Sequence, residues 1–361
     1  MQKEAKNINA FRRLLLNWSK EKNTRQMPWK GEKNPYKIWI SEIILQQTRV
    51  EQGLDYYKKF LDNFPTIQKL ANSSDAKAYK IWEGLGYYSR CKNLLETART
   101  VVKKHAGIFP TTYEEILKLK GVGPYTAAAI ASFAYNLPHA VLDGNVFRVL
   151  SRFFGIAKAV DSTEGKKCFQ QLSNELLDKK QPGIYNQAIM DFGAVVCKPV
   201  LPLCLQCSFK KHCKAYVSNS VALFPKKVKK IKIKTRWFYY LVIKYKTEFY
   251  IRQRTENDIW KNLHEFYLQE FDYEVASEEI LKKVEKLNIV KKKNYKVVFV
   301  SPTQKQQLSH QKIFAKFITV EIFQKAKIPS MQLVSKKEIT KLAFPKTINN
   351  YFLQYLAANK E

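Results

Sequence analysis

Four cysteines, Cys197, Cys204, Cys207 and Cys213, fall within seventeen residues. Thiolates grouped this closely, in a chain with no secretory signal, point to a metal centre rather than to disulfides. The spacing C-x6-C-x2-C-x5-C suits tetrahedral zinc or a four-iron cluster. Pro199 and Pro202 stiffen the loop, and Lys198, Lys210, Lys211 and Lys214 make it basic. His212 stands between ligands and reads as a bystander. The position of the loop at the end of a helical region favours a structural role.

Upstream, Leu119-Lys120-Gly121-Val122-Gly123-Pro124-Tyr125-Thr126 lies between two helical patterns. Two glycines allow a tight turn with backbone N–H groups uncovered, and Pro124 suits a first helical position. Such N–H groups at a helix start can meet a phosphate. Two carboxylates sit in contrasting surroundings. Glu42 lies among Trp39, Ile43, Ile44 and Leu45, where apolar neighbours would keep it protonated. Asp143 precedes a helix starting near Asn145, whose N–H groups would favour its ionised form. Taken alone, Glu42 reads as a surface residue and Asp143 as a helix cap.

The elements that must position these groups are mostly helices. Phe11, Leu14, Leu15 and Trp18 recur at helical spacing, and Asn34-Pro35 opens a helix through Gln46. Further helical patterns run over 52–64, 75–85, 89–105, 113–120, 126–135, 145–154, 162–178 and 184–197. An all-α domain is expected over residues 1–220, with a cysteine loop at 197–213. Residues 221–236 contain the run KKVKKIKIKTR, seven bases and no acid, readable as a solvated linker or as a phosphate contact. From 237 to 361 the pattern turns to strands at 237–244, 248–254, 264–269, 295–300 and 312–320. Helices at 278–287 and 346–358 make that domain α+β.

The chain of 361 residues has a formal charge of +32. That excess suits a polyanionic partner. Only 11 of the 63 basic residues are arginine, so an A/T-rich coding bias would raise lysine in the same way. The longest uncharged apolar run, Ala127 to Tyr135, is too short to span a bilayer. Arg12 and Arg13 interrupt the N-terminal apolar pattern, so no signal peptide is read there. A cytoplasmic, monomeric protein without membrane contact is expected.

The cysteine pattern, downstream of LKGVGPYT and LDGNVFRVLSR, resembles the iron–sulfur branch of the endonuclease III superfamily of DNA glycosylases, over residues 1 to about 220. Within it the chain is similar to the MutY family of adenine glycosylases. That likeness rests on Met27-Pro28-Trp29, on the run from Pro35 to Thr48, on Trp82 to Arg90, and on Tyr185-Asn186-Gln187-Ala188. The resemblance implies a helix-hairpin-helix fold, a 4Fe-4S cluster rather than zinc, and double-stranded DNA with adenine opposite 8-oxoguanine or guanine as partner. It implies Glu42 as acid/base on adenine and Asp143 as stabiliser or transient nucleophile of the sugar cation, with Tyr125 and Asn145 lining the pocket. Two carboxylates in different environments can divide these tasks, as in sugar hydrolysis.

Lyase members place a Schiff-base lysine where this chain has Tyr125, and neither Lys120 nor Lys92 matches that position. A monofunctional glycosylase is therefore expected. The resemblance also puts Arg25, Leu45 and Gln187 against the flipped adenine, and Gln47 and Tyr87 beside the estranged base. Gly121, Val122 and Gly123 would meet the backbone. Residues 237–361 resemble, more weakly, a MutT-like (Nudix-like) lesion-reading domain, through Ile259 to Phe266. No Gly-x5-Glu-x7-Arg-Glu array is present, so pyrophosphohydrolase chemistry is not expected. Leu308-Ser309-His310 matches the Phe-Ser-His loop of that family with leucine for phenylalanine, which puts stacking on the lesion in doubt. The competing expectations are an endonuclease III-like lyase for oxidised pyrimidines and a non-catalytic DNA-binding iron–sulfur protein.

Overall fold

The computed structural model describes residues 2–228, 232–286, 288–291 and 294–358; Lys229, Lys230 and Ile231 of the basic run and Leu287 of an expected helix lie outside them. The chain forms two compact units, residues 1–72 with 93–230, and residues 73–92 with 231–361.

The first unit is helical. Its elements are α1 (Gln2–Glu21), α2 (Pro35–Leu45), α3 (Val50–Asn63) and α4 (Ile67–Ala71). After α5 (Asp75–Trp82) of the second unit come α6 (Ser89–Lys104), whose first turn belongs there too, α7 (Tyr113–Leu117) and α8 (Pro124–Tyr135). Then follow α9 (Gly144–Phe154), α10 (Thr163–Leu176), α11 (Pro182–Val195) and α12 (Lys214–Val217). Asn34 caps α2 by accepting from the N–H groups of Tyr36 and Lys37, with Pro35 in the first turn. Tyr36 and all residues from Ile38 to Ile44 are buried. A helix enclosed on all sides carries Glu42 into the interior with it, and this overrides its reading as a surface residue.

The core joins α1, α9 and α11 through aromatic rings. Phe11 meets Phe153 edge-on at 4.8 Å, and Trp18 meets Phe192 at 4.9 Å. Phe209, between Cys207 and Cys213, stacks on Phe192 at 4.5 Å and is 2% exposed. Burying one such ring contributes about 1.5–3 kcal/mol and ties the cysteine loop to the core. Helices α4 and α12 were not legible in the sequence, each being too short for a periodic pattern.

Among the described residues, the second unit holds an eight-stranded mixed sheet. The strands are β1 (Lys234–Tyr245), β2 (Glu248–Gln253), β3 (His264–Glu265), β4 (Tyr267–Phe271), β5 (Tyr295–Val300), β6 (Gln304–Gln307), β7 (Gln311–Ile322) and β8 (Gln332–Ser335). The main path runs β3-β2-β1-β7-β5, with β1 and β7 parallel. Leu241, Ile243, Ile318 and Val320 pack with Ile280 and Val284 of helix α13 (Ser277–Lys286). Tyr240 stacks on Phe317, and Phe317 on Tyr351 of the final helix, α15 (Lys346–Ala358), after the short α14 (Lys336–Ile339).

Residues 73–92 pack in this unit although the sequence places them among the helices. Asn262 donates to the Tyr79 hydroxyl at 2.9 Å, Lys80 to the Leu342 carbonyl at 2.9 Å, and the Phe344 N–H to Glu83 at 2.8 Å. Bonds across so many residues leave no local pattern in the sequence. The basic run is also shorter as a linker than it reads. Lys234 already belongs to β1, and Arg236, 6% exposed, is paired with Asp258 and Glu270 at 2.6 Å each. Arg236 is therefore neither solvated nor free for a phosphate.

Candidate active site

Glu42, Asp143, Tyr125, Asn145, Arg25, Leu45, Gln47 and Gln187 all line one cleft of the helical unit, about 760 Å³ in volume. That size suits a small ligand. The Tyr125 hydroxyl donates to Oε2 of Glu42 at 2.7 Å and lies 3.5 Å from the Met190 sulfur. Burial pushes the Glu42 carboxyl up to about 7; the negative charge of Asp143 adds to this and the Tyr125 hydrogen bond opposes it. A carboxyl so placed holds a proton near neutrality and can deliver it.

Asp143 caps α9. Its Oδ1 accepts from the Val146 N–H at 2.8 Å, and its Oδ2 from the Asn145 amide at 2.7 Å. Burial raises its pKa above the ordinary carboxylate value, countered by those hydrogen bonds and by Arg148. The helix start thus offsets burial only in part, where the sequence suggested that it would dominate. Asn145 is held in turn by Arg148, whose Nη2 donates to Asn145 Oδ1 at 2.7 Å and to the Gly193 carbonyl at 2.8 Å. A Cβ added at Gly193 would stand 2.6 Å from the Asn145 Cβ, so only glycine lets α11 approach α9 so closely here. Asn186, fully buried, accepts from the Val141 N–H and donates to Ser132 and to the His139 carbonyl, fixing the segment that leads into Asp143. Arg148 and Asn186 were within the motifs read above, but a structural role for a polar residue leaves no spacing signal.

Two lysines line the cleft. Lys30 pairs with Asp191 at 3.2 Å and Lys33 donates to the Phe133 carbonyl at 2.9 Å. Both amines are occupied, and the position after GVGP holds a phenol. The Arg25 guanidinium and the Gln187 amide also converge on Asp191, at 2.9 and 3.0 Å, a residue the sequence reading passed over.

Cys197, Cys204, Cys207 and Cys213 line one small cavity together with Phe153, Phe192 and Phe209. Arg152 braces this loop, donating to the Lys198 carbonyl at 2.7 Å and to the Cys197 sulfur at 3.5 Å. Burial raises Cys207 to about 12, and Cys204 and Cys213 move the same way. His212 is exposed.

The GVG turn differs from expectation in one detail. The Val122 side chain is buried and its N–H bonds to the Leu119 carbonyl at 3.1 Å, so that donor is not available. Gly121 has φ +76°, and Gly123 begins α8 without any capping side chain, so the first-turn N–H groups of α8 meet no side-chain acceptor. Gln47 and Tyr87 are exposed and have φ of 57° and 47°, a conformation costly for residues with a Cβ.

In the second unit, the Tyr87 hydroxyl hydrogen-bonds to the Ser309 hydroxyl. Ser309 and His310 are exposed in the turn between β6 and β7, and Leu308 is half-buried. Arg90 supports Tyr87 from behind: its guanidinium lies 5.4 Å from the Tyr87 ring and 5.3 Å from the Trp82 ring, and it donates to the Gly86 carbonyl at 3.2 Å.

Residues 40–177 match the model of the HhH-GPD superfamily base excision DNA repair proteins, and residues 238–354 match the NUDIX domain. The chain is 38% identical over 285 residues to the adenine DNA glycosylase of Buchnera aphidicola subsp. Schizaphis graminum, covering 79% of this chain and 81% of that one. It is 41% identical over 217 residues to the adenine DNA glycosylase of Homo sapiens, covering 58% of this chain and 40% of that protein. Among solved structures, a thermostable thymine-DNA glycosylase superposes with a TM-score of 0.56 at 29% identity, over 60% of this chain and 99% of that one. Among the described residues, no helix is long and apolar enough to cross a membrane. This chain is a member of the adenine DNA glycosylase family, hydrolytic base-excision repair enzymes built on a helix-hairpin-helix domain and a Nudix-like domain.

Proposed function

We propose that this enzyme excises adenine mispaired with 8-oxoguanine or guanine in double-stranded DNA and leaves the strand uncut. The observation that carries this reading is the buried Glu42 carboxyl, hydrogen-bonded by Tyr125 in the same cleft as Asp143. Protonated Glu42 gives its proton to a ring nitrogen of the flipped base, and the glycosidic bond breaks with its electron pair leaving on adenine. The sugar cation meets the Asp143 carboxylate, as stabiliser or transient nucleophile; water then adds to the anomeric carbon, displacing that carboxylate where a bond has formed, and passes its proton to the Glu42 carboxylate. Asn145 holds Asp143 in place. Arg25, Leu45 and Gln187 contact the base, while Gln47 of the first unit and Tyr87 of the second each meet the DNA beside its partner. Gly121, Val122 and Gly123 lie along the backbone, and Ser309 and His310 read the lesion. We take the helical unit and the sheet-bearing unit, the latter including residues 73–92, as the functional domains, and the protein as a cytoplasmic monomer.

We infer a 4Fe-4S cluster at Cys197, Cys204, Cys207 and Cys213. Four thiols lining one cavity supply the donor set, and the resemblance of the cysteine pattern to the iron–sulfur branch of the superfamily favours a cluster over one tetrahedral zinc. When bound, the cluster would hold the thiols as thiolates and fix the loop.

The lyase alternative lacks an unoccupied amine among the described cleft residues, and the non-catalytic alternative does not explain why both carboxylates are present. The test is chromatographic detection of the free base released from duplexes with adenine opposite 8-oxoguanine, guanine or thymine, and from a duplex carrying an oxidised pyrimidine. Release from the first two supports the reading, and release of an oxidised pyrimidine instead would replace it.

A further inference from the structure

Asp191, on α11, is fully buried and outside the cleft lining, yet four donors converge on its carboxylate. Asn23 and Lys30 reach Oδ2 at 2.8 and 3.2 Å, and Arg25 and Gln187 reach Oδ1 at 2.9 and 3.0 Å. Three of these four, Arg25, Lys30 and Gln187, are cleft residues. A buried carboxylate survives only when paired and hydrogen-bonded, and two cations with two amides meet that requirement.

The arrangement has a chemical consequence at Gln187. An ionised carboxylate only accepts, so the Gln187 amide must turn its NH2 group to Asp191. Its carbonyl oxygen is then the atom left to meet a ligand. At the same time the carboxylate offsets the charges of Arg25 and Lys30, so that the cleft does not present two unbalanced cations. We propose that Asp191 is a positioning residue that fixes Gln187 as an acceptor and so makes the site select a purine carrying a 6-amino donor. A 6-keto purine, or one with no substituent at position 6, cannot supply that donor. This rests on the adenine reading above.

The experiment compares equilibrium binding of three duplexes by the cluster-loaded full chain. One carries a non-cleavable 2′-fluorinated adenosine, one the same sugar with unsubstituted purine, and one a stable abasic analogue. For the wild type, the 6-amino duplex binds more tightly than the unsubstituted one. Asp191→Asn lets the Gln187 amide turn over, and the preference falls by about tenfold, the worth of one hydrogen bond between neutral groups, while abasic binding does not fall. The paired change Asp191→Asn with Gln187→Glu keeps the net charge and restores an acceptor at 187. It regains the preference, and it reads the same arrangement should the single variant not fold. An unchanged preference in Asp191→Asn, a parallel fall in abasic binding, or a folded double variant without the preference would overturn the role of Asp191. A wild type that binds both base-bearing duplexes no better than the abasic one would overturn the adenine reading itself.

Discussion

The phenolic oxygen of Tyr125 lies 2.7 Å from Oε2 of Glu42 and donates its proton there. This bond works against burial, which holds the Glu42 carboxyl at about 7. The acid must carry its proton to act. The single-turnover rate of base release should therefore fall about tenfold per pH unit above roughly pH 7, and fall again at low pH as Asp143 takes up a proton. Tyr125→Phe removes the one interaction that lowers the Glu42 value, so the alkaline limb should move to higher pH. A limb that stays in place, or moves down, would mean that another group titrates there.

The same shift sets a cost in stability. Below a pH of about 4.5 Glu42 is protonated folded and unfolded, and its ionisation has no effect. As pH rises through 7 the unfolded chain gains by ionising while the folded one does not, and the penalty becomes complete. Glu42→Gln should thus raise the unfolding temperature of the helical unit at pH 8, by the equivalent of about 2–3 kcal/mol, and leave it nearly unchanged at pH 4.5. Thermal denaturation at the two pH values checks the sign.

Arg148 links Asn145 to the cysteine loop, since its Nε donates to the Cys197 carbonyl at 2.7 Å. Arg148→Met leaves four carbonyl-type acceptors, those of Cys197, Gly144, Asn145 and Gly193, without that donor. A loss of about 2–3 kcal/mol in stability is expected, with a slower rate of base release because Asn145 no longer fixes Asp143. Iron content and absorbance, measured beside the rate, separate damage to the loop from damage to the cleft.

On the proposed lesion-reading role, Leu308 takes the place of a stacking phenylalanine. Leu308→Phe should raise the preference for 8-oxoguanine over guanine opposite adenine by about five- to tenfold, the scale of one base–aromatic contact. Ser309→Ala, which removes the partner of the Tyr87 hydroxyl, should lower the same ratio. Parallel titrations with the two duplexes measure both.

The proposed cluster makes a plain prediction. Protein purified without air should be brown and contain about four irons per chain. Cys204→Ser should lower that content and the visible absorbance together.

What the sequence disclosed depended on range. Asn34-Pro35, the strand alternation after 237 and the four-cysteine spacing are local, and the matching elements lie within a few residues of where they were read. The cleft residues came from motif resemblance rather than from periodicity, and the fold brings them to one wall. What escaped were polar residues that act through another side chain. Asp191, Arg148 and Asn186 hold neighbours that stand far away in sequence or belong to different elements. Residues 73–92 escaped for the same reason, because only their bonds to Asn262, Leu342 and Phe344 assign them to the second unit.

The most direct test of the account is a single-turnover assay on a duplex with adenine opposite 8-oxoguanine, with and without alkali, for the wild type and Glu42→Gln. Strand breaks that appear only after alkali, and that vanish in Glu42→Gln, are the result this account predicts. Breaks without alkali that borohydride traps as a covalent complex, or full activity in Glu42→Gln, would contradict it.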